Sequence, residues 1–141
     1  MSTVSSDKIA MNWNYPTPIR FGAGRIAELP EACQSLGMSK PLLITDKGLA
    51  QSEIVSRARK ICADAHMPCG LFSGVQGNPV GDNVNDGVQA YHQGNHDGVI
   101  AFGGGSALDA AKAVALMVGQ DRPLWDFEDK ADWFTRVNVS G

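Results

Sequence analysis

The sequence predicts an α/β fold: a doubly wound, mostly parallel sheet with helices on both faces. Three observations predict it. Short apolar runs alternate with longer segments of helical periodicity, in the order β-α-β-α-β-α-β-α. The connections between them are only a few residues long, which suits βα and αβ joints. The 16 glycines fall at the ends of periodic segments, as punctuation rather than low complexity. No internal repeat is visible.

Each element has its own justification. The Ser-rich start, residues 1–14, reads as a flexible terminus, and Tyr15-Pro16-Thr17-Pro18 favours extended backbone. Ile19-Arg20-Phe21 is a short strand closed by Gly22 and Gly24. Ile26, Leu29, Cys33 and Leu36 then recur at helical spacing, with Pro30 suited to a first helical position and Gly37 as the stop. Pro41–Thr45 is an apolar run of the kind buried in a parallel sheet. A helix starts near Ser52, with Ile54, Ala58, Ile61 and Ala65 on one face. Gly70–Val75 is the next strand, and a polar loop, residues 76–81, leads to a helix marked by Val84, Val88 and Tyr91. That helix ends near Gly94. Gly98–Phe102 is the clearest strand, followed by Gly103-Gly104-Gly105-Ser106 and a helix, Ala107–Val118, that is apolar almost all round.

Composition narrows the function. The chain has 141 residues, a net charge of −3, 43% hydrophobic and 19% charged residues. That balance fits one soluble domain with a real core. Without a basic tract the chain lacks the electrostatic footprint of a nucleic-acid or membrane-surface binder. Its longest apolar stretch, Ala113–Val118, is too short to span a bilayer. No secretory signal is visible, and the three cysteines form no C-x-x-C pair, so a cytoplasmic setting is expected. They read as small buried hydrophobes.

The strand–Gly-Gly-Gly-Ser–helix junction carries the sharpest chemistry. Glycines let backbone approach a ligand closely, and their N–H groups, with the free amides of a helix start, suit a phosphate. Ser106 is expected to cap that helix and to donate its hydroxyl to the same anion. The plainer reading is a tight turn that needs glycine for packing. Asp46, at the end of the Leu42–Thr45 strand and 57 positions before Gly103, can accept hydrogen bonds from a ribose diol. Its plainer role is to cap the turn before Gly48. His92 and His96 stand four apart, but Gly94 between them marks a helix end, so a shared metal is not expected. His66, near another helix end, suits the helix dipole.

The run Phe102-Gly-Gly-Gly-Ser-Ala-Leu-Asp-Ala-Ala-Lys112 resembles the G-G-G-S-x-x-D-x-A-K motif of the iron-containing (group III) alcohol dehydrogenases. Phe21-Gly22-Ala23-Gly24, Leu43-Ile44-Thr45-Asp46-Lys47, and Gly74-Val75 with Asn78-Pro79 extend the likeness in the family's order. The resemblance implies a Rossmann-like domain over residues 15–141 that binds NAD(P) across its sheet. By carry-over Gly103, Gly104, Gly105 and Ser106 would hold the pyrophosphate, and Asp46 would contact the adenosine ribose. Asp46 favours NAD over NADP, with Arg20 and Arg25 the nearby cations that would soften the preference. Asn78 and Pro79 would lie beside the adenosine groove, although Gly77 and Val80 depart from the usual P-N-P-T form. Asp109 belongs to the motif with Lys112 and is carried over as a cofactor-side residue; both also read as ordinary helix polar residues.

The family's carboxyl-terminal helical domain, with one aspartate and three histidines for a divalent metal, is absent from this chain. The resemblance therefore implies the NAD-binding portion of an alcohol dehydrogenase, with no catalytic or metal-ligating residue of its own and silent in isolation. Iron enters only with the full-length enzyme. The Pro16–Phe21 segment is suited to a partner's sheet edge, so a homodimer is an expectation. Two alternatives stay open: a stand-alone nucleotide-binding or interaction module, and a fragment of a glycerol dehydrogenase-like enzyme. The glycerol dehydrogenase and dehydroquinate synthase groups usually place lysine where Ser106 stands. Trp125, Phe127, Trp133 and Phe134, among acidic neighbours, are expected to be partly exposed.

Overall fold

In chain order the elements are β1 (Met11–Asn14), β2 (Pro18–Phe21), α1 (Leu29–Ser35), β3 (Pro41–Asp46), α2 (Glu53–Asp64) and β4 (Gly70–Val75). Then follow α3 (Gly81–Gln93), β5 (Gly98–Ala101) and α4 (Gly105–Met117), with short 3-10 turns at Arg25–Glu28 and Leu124–Phe127. The computed structural model describes residues 10–14, 16–77 and 81–127. Asn78, Pro79, Trp133 and Phe134 lie outside the described residues.

The apolar run Pro41–Thr45 is buried throughout because β3 is the middle strand of a parallel sheet, ordered β4-β3-β5. Alternate side chains leave on opposite faces. Leu42 and Ile44 pack with Val84 and Tyr91 of α3 and with Ala110, Ala111, Val114 and Met117 of α4. Leu43 packs on the other face with Cys33 of α1 and with Val55, Ala58 and Cys62 of α2. The expected helix–sheet–helix layering is present. On the first face α3 and α4 approach closely at Gly87, where a Cβ would stand 2.6 Å from a Val114 methyl.

This winding positions the site. From β3 the chain crosses by α2 on one face to β4, then returns by α3 on the other face to β5, on the far side of β3. The helices after the neighbouring strands β3 and β5 therefore lie on opposite faces. Their carboxyl ends diverge and open a crevice, the switch point at which doubly wound sheets bind ligands.

Local details depart from expectation in instructive ways. Met11–Asn14 is a strand, paired antiparallel with Pro18–Phe21, at the end of the segment expected to be flexible. In α2, capped by the Ser52 hydroxyl accepting from the Val55 amide, the buried stripe is Val55, Ala58 and Cys62. Ile54, expected on that face, is 59% exposed because the stripe that packs against the sheet runs through its neighbour Val55 instead. Leu36, expected as the last apolar position of α1, falls in the turn beyond it and is exposed. Gly37 there adopts φ +77, the left-handed stop a helix end favours.

At the amino end of the sheet, Asp97 fastens two connections. Its carboxylate accepts from the Ser39 amide and hydroxyl at 2.8 and 2.7 Å and from the Lys40 amide at 2.8 Å. Burial pushes this carboxyl up, and the bonds from Ser39 and Lys40 outweigh it, leaving it below its ordinary value. His96 lies alongside, its Nδ1 3.0 Å from the Lys40 carbonyl oxygen.

Candidate functional site

Strand β5 delivers Phe102 to the crevice, where its amide donates to the Ile44 carbonyl at 2.9 Å. Gly103 then turns the chain with φ +135, a conformation L-residues rarely adopt. A Cβ at Gly103 would meet Leu49 at 3.1 Å, Ala107 at 3.2 Å and Asp46 Oδ2 at 3.5 Å. Packing therefore demands this glycine. Gly104 and Gly105 differ, because a Cβ built at either meets nothing within 4 Å among the described residues. No packing reason accounts for the second and third glycines.

Gly104 is the residue before α4 and no side chain caps it. The Leu108 amide makes the first bond of the helix, to the Gly104 carbonyl at 3.1 Å. Helix geometry thus leaves the N–H groups of Gly105, Ser106 and Ala107 without an intrahelical acceptor. With the positive end of the helix dipole, they suit an anion.

Ser106 overturns one expectation. It lies inside the first turn of α4 rather than at its cap, and its hydroxyl donates to the Gly77 carbonyl at 2.7 Å. The bond ties the glycine turn to the loop after β4. That loop follows an irregularity in the β3–β4 pairing between Ile44 and Asp46. In it stand Asn78 and Pro79, outside the described residues.

Asp46 ends β3 across the crevice. Its Oδ1 accepts from the Leu49 amide at 2.9 Å, and its main-chain carbonyl accepts from the Ala50 amide at 3.1 Å. The turn-capping role is therefore filled by one carboxylate oxygen. The other, Oδ2, faces Gly103 and takes no hydrogen bond among the described residues. The preceding hydroxyl, Thr45 Oγ1, is wholly buried and has no partner there either.

The structure thus brings Asp46, Gly103, Gly104, Gly105 and Ser106 to one crevice. Asp109 is placed apart. It lines an open cavity of about 250 Å³ between α3, α4 and the Leu124–Phe127 turn, with Gly81, Val84, Ala113, Leu124 and Trp125. Trp125 is 64% exposed, while Phe127 packs against the core. Arg20 and Arg25 are engaged at the hairpin: Arg20 with Glu28 at 3.2 Å and Glu31 at 3.1 Å, Arg25 with Glu28 at 2.6 Å. His92 lies in the last turn of α3 and His96 beyond its end, so the helical i, i+4 pairing does not form. Among the described residues no three His, Cys, Asp or Glu side chains are grouped to hold a metal ion. Nor is any helix there long and apolar enough to cross a membrane.

Sequence reasoning missed the Ser106–Gly77 bond and a gathering of the cysteines. Both join residues distant in sequence, and no local signal announces them.

The family model for iron-containing alcohol dehydrogenase matches residues 16–139. The choline dehydrogenase of Bacillus subtilis is 34% identical over 113 residues, 80% of this chain and 28% of that protein. A crystal structure of 1,3-propanediol oxidoreductase superposes with a TM-score of 0.73 at 33% identity, covering 76% of this chain and 28% of that one. Sulfoacetaldehyde reductase from Bifidobacterium kashiwanohense, solved in complex with NAD+, gives 0.67 at 26% identity, covering 77% and 28%. The chain thus spans less than a third of the length of these proteins. The matched stretch includes every motif that converges on the crevice, and on it the chain belongs to the iron-containing alcohol dehydrogenase family.

Proposed function

We propose that this chain is the NAD-binding portion of a metal-dependent alcohol dehydrogenase. The observation that carries the reading is the pairing of an uncapped, open helix start at Gly104–Ser106 with a half-free carboxylate at Asp46 across a topological switch point. The amides of Gly105, Ser106 and Ala107 bind the pyrophosphate. Asp46 Oδ2, held in place through Oδ1, accepts from the adenosine ribose diol and repels a 2′-phosphate, so NAD is preferred over NADP. The engagement of Arg20 and Arg25 with glutamates supports that preference, since neither guanidinium is left to offset Asp46. Asn78 and Pro79 border the adenosine side. Asp109 lines the cavity beside Gly81 and Trp125 and does not touch the cofactor.

When bound, the nicotinamide supplies hydride transfer between an alcohol and its aldehyde or ketone. This chain's residues bind and orient the cofactor. Among the described residues none is grouped to hold a metal; iron belongs with the family's carboxyl-terminal domain, and the chain alone is silent in catalysis. A cytoplasmic location and a homodimer built on the β1–β2 hairpin belong to the same reading.

Calorimetric titration with NADH and NADPH tests it. Saturable NADH binding, weaker NADPH binding, and a loss of at least about tenfold in NADH affinity on Asp46→Ala are expected. No binding of either dinucleotide by the folded chain would leave the crevice a structural half only. Alcohol-dependent NADH formation above a chain-free control would overturn the expectation of silence.

A further inference from the structure

The parallel sheet is open at β5. Among the described residues that strand pairs with β3 alone, so one of its edges is free. The Phe102 amide donates to the Ile44 carbonyl, and main-chain groups alternate sides along a strand. Ile100 therefore also turns its N–H and C=O to β3, while those of Val99 and Ala101 face the free edge. Beside that edge lies a cavity of about 310 Å³. Leu36 and Met38 line it from one face of the sheet, Ala115 and Val118 from the other, with Val99 between them. Walls from both helix layers place this space in the plane of the sheet, where a further strand would run. Its surroundings are apolar: Leu36 is 75% exposed, and Leu108, two turns before Ala115 on the same side of α4, is 39% exposed.

Sheet edges ordinarily carry a device against pairing with another chain, such as a lysine, a proline or a bulge. Gly98-Val99-Ile100-Ala101 has none of these. Asp97, the charge next to it, is turned inward and held by Ser39 and Lys40. The opposite edge differs. There Arg59 donates through two guanidinium nitrogens to the Cys69 carbonyl just before β4, each at 3.2 Å.

We propose that the free edge of β5 is a self-association surface, and that its occupant is the same edge of a second copy of this chain. Two-fold antiparallel pairing about Ile100 sets Val99 of one copy opposite Ala101 of the other. Each such pair exchanges N–H···O=C bonds in both directions, and the two sheets become one. The geometry selects a copy because the edge is complementary to itself. β5 carries no charge, so a copy meets no repulsion there although the whole chain stands at −3. The same two-fold runs α4 beside its copy in the opposite direction, bringing the exposed Leu108 of each over the exposed Ala115 of the other, large against small.

A homodimer through the β1–β2 hairpin belongs to the functional reading above, so the test is made in Phe21→Lys, which charges the hairpin's exposed face, as well as in the parent. Sedimentation equilibrium of the whole chain is run from about 1 μM to 1 mM, with hydrogen exchange at both ends of the range. A reversible monomer–dimer transition is expected in Phe21→Lys. Exchange at Val99 and Ala101 should slow about tenfold as the dimer forms, while Ile100 is slow throughout. Val99→Pro removes an outward amide and no bond to β3. Ala115→Lys charges the flank without touching the strand, and it decides the matter if the proline variant does not fold. Either change, added to Phe21→Lys, should leave a monomer over the whole range. A monomer in Phe21→Lys at the highest concentration would overturn the proposal, as would a dimer that persists with Ala115→Lys. So would Val99 and Ala101 amides already slow at the lowest concentration, since residues beyond 127 of the same chain would then occupy the edge.

Discussion

The Ser106 hydroxyl donates to the Gly77 carbonyl at 2.7 Å, joining the first turn of the last long helix to the loop that follows β4. One side chain thus ties two rims of the crevice to each other. The bond explains why a serine, rather than a better helix former, stands second in α4, where it caps nothing.

Removing that hydroxyl should loosen the loop more than the fold. Ser106→Ala leaves the Gly77 carbonyl to water, which costs about 1 kcal/mol of stability at most for a partly exposed neutral bond. Amide exchange should quicken around Gln76 and Gly77 while α4 keeps its protection. If Ser106 also meets the pyrophosphate, NADH affinity should fall, by less than in Asp46→Ala. Unchanged exchange at Gly77 would show that the bond carries no order.

The glycines separate packing from binding. Gly103→Ala places a methyl at φ +135 against Leu49 and Ala107, so stability should fall by about 1–3 kcal/mol. Gly104→Ala meets no neighbour and keeps φ −84, which any residue adopts. It should fold as the parent does, within about 1 kcal/mol, yet its methyl intrudes on the open space before the helix start. Thermal unfolding and NADH titration of the two variants would therefore diverge. Parental affinity in a folded Gly104→Ala would assign the triple glycine to the turn alone.

Much of this architecture was legible because β3, β5 and α4 are apolar enough to name themselves. Pro41–Thr45 can only be a buried strand, and α4 lacks a polar face wide enough to float. Asp46 was legible as an acid at a strand end, and both of its suggested roles have an oxygen to serve them. Phase was less so: with Ile54 and Val55 adjacent, only the contacts of α2 decide which one turns inward. Ser106 was misassigned because local rules favour a serine cap, whereas a tertiary acceptor 29 residues away won the hydroxyl. The thiol cluster was invisible because Cys33, Cys62 and Cys69 are united only by two helices packing on one sheet face.

Asp97 should give the fold an acid-sensitive component. Its folded carboxyl lies below its ordinary value, the bonds from Ser39 and Lys40 outweighing a burial that acts the other way. A depressed folded value stabilises the protein fully above the unfolded carboxylate range, about pH 4, and the contribution is lost as pH falls through the folded value. Asp97→Asn should therefore be less stable than the parent at pH 6, with the gap narrowing toward pH 3. Because the group is largely exposed, the gap is about 1 kcal/mol. Urea midpoints of the two proteins from pH 6 to 3 would check this, and parallel curves would exclude Asp97 as the source.

Thr45 offers the opposite case, a residue whose removal should help. Its hydroxyl is fully buried on β3 with no partner among the described residues, a desolvation cost that nothing in the surrounding core offsets. Valine keeps the β-branched shape the strand prefers and replaces the hydroxyl by a methyl. Thr45→Val should thus raise stability by about 1 kcal/mol, read as a higher urea midpoint at unchanged slope. The neighbouring Asp46 carboxylate is held through the Leu49 amide rather than through Thr45, so NADH affinity should stay within about twofold of the parent, well under the 1.4 kcal/mol that a tenfold loss represents. A variant that is more stable but has lost affinity would instead make Thr45 a positioning residue, its unpartnered hydroxyl retained for the crevice at the expense of the core.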